Sequence, residues 1–154
     1  MLRRVHLHLL ALGLLMITTA YAAESNFATP AEAEKMVKKA IAHVKEAGAT
    51  VAYADFTNKK SDYVDRDLYI TVYDFKGNVL AHGQVDKMVG KNLIDLTDVA
   101  GKQFIRERIE LGKAKPSFWQ EYKFVDPVTK QVLPKQMYCE RLNETLVCGG
   151  VYKR

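Results

Sequence analysis

Apolar residues recur along the chain at two spacings, and these divide it into helices and strands. Ala33, Met36, Val37, Ala40, Ile41, Val44 and Ala47 follow one another at helical intervals, which makes one apolar face of a helix. Thr29-Pro30-Ala31-Glu32 before them is a capping box with proline in the first turn, and Gly48 is a C-terminal cap. The spacing predicts a long amphipathic helix over Pro30–Ala47 with a lysine-rich outer face. A second, short helix is predicted from Val51 to Phe56, and the polar run Asn58 to Asp67 reads as a loop. The period then changes to two. Leu68, Ile70 and Val72 alternate with Tyr69, Thr71 and Tyr73, giving a strand with one aliphatic and one aromatic, hydroxylic face. Asp74 to Asn78 turns the chain into a second strand, Val79 to His82. Gly83 to Asp98 is a long connection with a helical turn near Met88. Gly101 to Gly112 reads as a helix with Phe104, Ile105 and Ile109 facing inward. Phe118 to Phe124, Gln136 to Leu142 and Thr145 to Tyr152 read as three strands. Being close in sequence, they should form an antiparallel meander, so the fold class is α+β.

The last two strands carry the chain's two cysteines, in MYCERLNETLVCGGVY. With Asn143-Glu144 as a tight turn, Leu142 faces Thr145, Arg141 faces Leu146, Glu140 faces Val147, and Cys139 faces Cys148. That is a non-hydrogen-bonded pair, about 4.5 Å between Cα atoms, at the short edge of disulfide geometry. A Cys139–Cys148 disulfide is therefore expected. Two reduced, partly buried cysteines are the alternative, and a longer loop would break the register because Asn-Glu is a weaker turn signal than Asn-Gly.

An oxidising location follows from the N-terminus. Arg3 and Arg4, an apolar stretch from Leu9 to Ala20 and the Ala20-Tyr21-Ala22 site read as a secretory signal peptide over residues 1–22. The stretch is shorter than the ~20 residues of a spanning helix. Cleavage after Ala22 leaves 23–154 as one domain of ordinary size with no membrane span of its own, periplasmic or secreted. An uncleaved anchor is the alternative. The formal net charge of +5 loses two when Arg3 and Arg4 leave with the signal. The remaining lysines are interspersed with acids, which gives no nucleic-acid footprint.

Candidate chemistry is sparse. The mature chain has two histidines, His43 and His82. His43 sits on the long helix and reads as a surface or flank residue, and two histidines on separate elements make no metal cluster. Neither a P-loop nor G-x-S-x-G occurs, no nucleophile stands beside a base, and no cofactor is implied. His82 ends a strand before a long loop, a place where binding residues are often held. A strand-end histidine bonded to backbone is the plainer reading. Tyr69 with Tyr73, and Tyr122 with Phe124, share strand faces, and such faces are usually core. Tyrosine hydroxyls still need partners when buried. Tyrosines, one histidine and Lys135 together suit a small anion such as a carboxylate, although Lys135 also reads as a solvated lysine.

These marks, in order, carry a resemblance over nearly the whole mature chain. They are Asp67-Leu68-Tyr69, Val72-Tyr73-Asp74, Gly77, Leu80-Ala81-His82, Val89-Gly90-Lys91-Asn92-Leu93, Gly101-Lys102-Gln103-Phe104, Trp119 with Tyr122, Pro134-Lys135 with Tyr138, and Gly149-Gly150-Val151-Tyr152. Together they resemble the single Cache class of PAS-like sensor domains. The resemblance implies a long N-terminal helix on one face of a central antiparallel sheet of five or six strands. It also implies a pocket on the other face, under the middle loops and helix, for a small organic carboxylate or related metabolite. Residue by residue, the implied ligand set is Tyr69, Tyr73, His82, Trp119, Tyr122, Lys135 and Tyr138. Two departures stand out. Gly83 follows the histidine where the family often has proline. Strict alternation also puts Trp119 opposite in face to Tyr122, and Lys135 opposite to Tyr138, so a bulge is needed or one of each pair lies outside the pocket.

Most members of the class are extracytoplasmic parts of chemoreceptors, histidine kinases or cyclases. Without spans or an output module, this chain resembles a solitary secreted form that binds its ligand and acts through a separate membrane-bound partner. The alternative is an envelope interaction or structural module with a vestigial pocket, its lysine-rich helix a candidate homodimer or partner surface. An enzyme is not expected.

Overall fold

The computed structural model describes residues 26–154; the signal-peptide expectation lies outside the described residues. Helix α1 spans Pro30–Ala47, and its capping box is formed in full, with the Thr29 and Glu32 side chains each bonded to the other's backbone N–H. Gly48, at φ +81°, ends it and opens α2, Ala49–Thr57. Six strands follow: β1 (Val64–Asp65), β2 (Leu68–Asp74), β3 (Val79–His82), β4 (Ser117–Val125), β5 (Val132–Leu142) and β6 (Thr145–Tyr152), with helix α3 (Phe104–Ala114) between β3 and β4. A single 3₁₀ turn, Asp86–Met88, interrupts the long connection after β3.

Every strand pairing is antiparallel. Leaving out the two-residue β1, the five longer strands run β3-β2-β6-β5-β4 across the sheet. The two-residue period of β2 sorts its side chains as the alternation predicts. Leu68, Ile70 and Val72 pack under α1 and α2 with Val37, Phe56 and Val147. Tyr73, on the opposite face, packs with Phe104, Ile109, Met137 and the two cysteines under α3. The hairpin register is the predicted one, Cys139 opposite Cys148 and Leu142 opposite Thr145. The cysteines form a disulfide with their Cα atoms 4.1 Å apart.

Gly149 and Gly150 have separate reasons. A Cβ on Gly149 would meet Val37 of α1 at 3.1 Å, so glycine lets the helix approach the sheet. A Cβ on Gly150, on the other face, would stand 2.5 Å from the Gln136 carbonyl and 3.1 Å from Cε of Lys135, so glycine leaves room for the lysine stem.

The structure corrects four local expectations. Helix α3 begins at Phe104 rather than Gly101, because the Asp98 carboxylate accepts the N–H groups of Ala100 and Lys102 and holds that stretch in a turn, with Gly101 at φ +80°. Strand β5 begins at Val132 rather than Gln136, since β4 supplies a partner along its whole length. Residues 64–65 of the expected loop pair with the start of β2. His43 is half-buried: its Nε2 bonds Asp55 Oδ2 at 2.9 Å and its ring stacks on Tyr63.

The disulfide closes a short loop within an already paired hairpin and lies fully buried under α3. Replacing both cysteines with alanine should lower stability by about 2–3 kcal/mol, read as a shift in the urea midpoint with the fold retained by circular dichroism.

Candidate ligand site

The face of the sheet turned toward α3 closes over a small cavity. Tyr69, Thr71 and Tyr73 of β2, His82 of β3, and Tyr122 and Phe124 of β4 form its sheet wall. Met88, Leu93 and Leu96 of the long connection and Ile105 of α3 form an apolar roof. Its volume is only about 10 Å³.

Two buried cations stand against this wall. Arg108 of α3 is fully buried, with its guanidinium carbon 5.0 Å from the ring centroids of both Tyr73 and Tyr122 and 5.5 Å from that of Phe104. Its Nε donates to Gln120 Oε1 at 3.0 Å, and Gln120 is itself fixed by donating to the Phe104 carbonyl. Nη1 and Nη2 have no hydrogen-bond partner among the described residues, and neither has Thr71 Oγ1. Lys135 of β5, paired across the strands with Tyr122 and with Tyr152, is also fully buried. Its Nζ lies 3.8 Å from the Tyr69 ring centroid and donates to the Tyr152 hydroxyl at 3.3 Å. Among the described residues no carboxylate lies within salt-bridge distance of either cation. Burial, with the Arg108 charge adding to it, pushes the Lys135 ammonium well below the ordinary lysine range.

His82 is 2% exposed and its ring sits 5.3 Å from that of Tyr69. Its Nδ1 accepts the backbone N–H groups of Gln84 and Val85, at 3.2 and 3.0 Å. Burial first, then Lys135 and Arg108, push its pKa down to about 3. The ring is therefore neutral at physiological pH, and two donors on Nδ1 assign its proton to Nε2. Both readings of His82 hold together: it is a strand-end histidine bonded to backbone, and it is also part of the cavity wall. Burial also raises the Tyr69 and Tyr122 hydroxyls above the ordinary tyrosine range, so both stay protonated.

Of the seven residues expected at the ligand, the structure brings five to this face: Tyr69, Tyr73, His82 and Tyr122 on the cavity wall and Lys135 beside it. It separates Trp119 and Tyr138 from them. No bulge intervenes in the β4–β5 pairing, which runs unbroken from Ser117–Glu140 to Val125–Val132. Strict alternation therefore carries these two to the α1 face, where their rings lie 5.2 Å apart and Tyr138 joins the core under α1. Arg108 is the residue the sequence reading missed. A signal was present: it falls one helical turn after Phe104, inside the inward stripe of Phe104, Ile105, Ile109 and Gly112, so a charge on that stripe marks a buried cation.

A long helix on one face of an antiparallel sheet and a small, largely apolar cavity on the other make a PAS-like fold. The chain belongs to the single Cache domain 2 family, whose model matches residues 7–152. Domains of this family are extracytoplasmic sensory modules. The chain is 36% identical over 89 residues to the sensor histidine kinase MctS of Rhizobium johnstonii, a match covering 56% of this chain and 19% of that protein. The chain thus spans about a fifth of that relative's length. Its fold is similar to a methyl-accepting chemotaxis protein from Vibrio parahaemolyticus (TM-score 0.69, 20% identity, 79% of this chain and 86% of that one). It is similar as well to a Cache chemosensory domain described for carboxylic acid recognition (TM-score 0.68, 16% identity, 80% and 92%). No helix of the described residues is long and apolar enough to cross a membrane.

Two outcomes are expected from the buried bases. An unfolded histidine titrates near 6.5, whereas folded His82 resists protonation down to about 3. The unfolded state therefore binds the extra proton in that window, and His82 makes stability fall as pH drops from 6.5 towards 3. In urea melts, the stability gap between wild type and His82→Gln should narrow across that window and stay constant above pH 7. Arg108→Met removes a buried, unpaired charge and keeps the apolar stem. The ligand-free variant should gain about 1 kcal/mol, a Tm rise of about 3–5 °C.

Proposed function

We propose that this domain binds a small organic carboxylate in the cavity under α3 and acts as an extracytoplasmic sensor module for a separate membrane-bound signalling partner. One observation carries the reading: Arg108 is buried with both terminal nitrogens unpartnered. A buried cation without a counter-ion is costly, and a carboxylate would satisfy both nitrogens in the bidentate geometry that arginine favours. Thr71 Oγ1, the Nε2 proton of His82 and Lys135 would supply further donors around the same anion. The apolar roof of Met88, Leu93 and Leu96 suits a short hydrocarbon tail. The similarity in fold to a Cache domain described for carboxylic acid recognition supports the same ligand class. The basic, apolar, A-x-A leader supports export.

One observation favours a second reading, an interaction module whose pocket is filled by its own side chains. The cavity, at about 10 Å³, holds at most one water.

Thermal-shift titration with short monocarboxylates, from formate to butyrate and their hydroxy and keto forms, separates the two. At a hundredfold excess over Kd, binding should add about 2.7 kcal/mol and raise Tm by several degrees. Arg108→Met should lose the shift and Lys135→Met should weaken it. Trp119→Phe, altered on the opposite face, should keep it. No shift with any acid at about 10 mM would leave the self-filled module.

A further inference from the structure

A second hollow lies outside the cavity. This outer cleft has a volume of about 190 Å³, and two of its walls, Tyr69 and Phe124, are also walls of the inner cavity. Gln84 and Val85 border it on one side and Pro127 and Lys130 on the other. We propose that this cleft is the entrance to the anion site and that Phe124 is its door. The proposal rests on the carboxylate reading above.

Space requires a moving wall. The closed cavity, at about 10 Å³, takes at most one water, whereas even a two-carbon carboxylate needs roughly twice the ~30 Å³ share of a water. Of the two shared walls, Tyr69 is fixed. It is 1% exposed and lies on β2, which is paired with β1, β3 and β6. Phe124 is half-buried, stands near the end of β4 at the margin of the sheet, and is followed by Val125 at 47% exposure. Its ring packs tilted against Tyr122 and edge-on against Phe104, with centroids 6.0 and 6.1 Å away, so a swing about χ1 gives up those two side-chain contacts and breaks no strand pairing. The opposite jamb is held in place, because His82 Nδ1 accepts the N–H groups of both Gln84 and Val85.

Charge marks the same route. Lys130 stands at the rim with its ammonium on the Pro127 carbonyl. Lys135 lies behind the door, 6.0 Å from the Phe124 ring centroid. Arg108 follows beyond Tyr122. Among the described residues no carboxylate lines the cleft; the adjacent Asp126 is buried and bound to Arg154. An anion moving inward therefore passes from Lys130 at the rim to the buried basic groups Lys135 and Arg108, and the charge at the rim raises its local concentration and its rate of arrival.

Exchange kinetics test this with propionate as the probe, by NMR line-shape or stopped-flow measurement on the whole chain. Val85→Trp and Pro127→Trp narrow the cleft without touching the cavity wall. Each should slow association and dissociation together by about tenfold while Kd stays within about threefold. Phe124→Ala should speed both rates, and Lys130→Glu should slow association alone, with the difference vanishing at high salt. Circular dichroism confirms folding; should Val85→Trp fail to fold, Pro127→Trp gives the same reading. Wild-type rates in the folded tryptophan variants would overturn the entrance and leave the carboxylate reading standing. No propionate binding by wild type, together with none of the other acids of the series, would overturn both.

Discussion

Arg108 is buried without a counter-ion among the described residues, and the cavity side of the molecule is organised around that charge. Removing a guanidinium from water costs several kcal/mol unless partners replace the lost hydration. Here the replacement is partial. Three aromatic faces surround the group and one nitrogen bonds Gln120, which leaves both terminal nitrogens free. Cation–π contacts of this kind contribute on the order of 1–2 kcal/mol each when desolvated, enough to hold the charge in place and too little to neutralise it. The proposed anion site depends on that imbalance. A carboxylate side chain beside Arg108 would make the fold more comfortable and the site occupied.

The remaining architecture is what lets the domain carry such a deficit. Two separate cores flank the sheet, and the one under α1 and α2 is built from aliphatic and aromatic groups. The face that carries the charges is braced by the buried disulfide between β5 and β6. Lys135 reaches its place because Gly150 offers no side chain on the neighbouring strand. The two adjacent glycines thus serve opposite faces: one admits the helix that stabilises, the other the lysine that destabilises. On the proposed reading the α1 face takes no part in binding, so its packing lets a marginally stable domain keep an uncompensated charge on the other face.

Much of this was legible in the residue pattern, and the omissions have physical reasons. Helix α1 was readable to the residue because its start and stop are local signals, a capping box and a glycine. The β5–β6 register was readable because a two-residue turn fixes the partner of every residue beyond it. Helix α3 was misplaced by three residues because its true start depends on Asp98, whose carboxylate also accepts the N–H of Lys123 on another element. Family resemblance assembled five residues on the cavity side and added Trp119 and Tyr138. Alternation placed that pair on the far face, and local pairing rules were the better guide where they disagreed with the resemblance. Arg108 went unseen because inward stripes are usually scanned for apolar residues alone; a polar intruder on such a stripe is the more informative observation.

Selectivity then depends on where the energy was spent. On the proposed reading, the desolvation of Arg108 and Lys135 occurs during folding, before any ligand arrives, so a carboxylate would meet polar groups already in position and would have only a wall of the cavity to displace. A neutral molecule of the same shape would fill the apolar roof equally well, yet it would leave Nη1 and Nη2 without an anion and gain only its buried area. A larger acid would have to displace Met88, Leu93 and Leu96, which are held by the backbone bonds of the long connection to β3 and the turn before it. On that reading charge decides which chemical class is held, and the walls that stay fixed decide how large a member of that class fits.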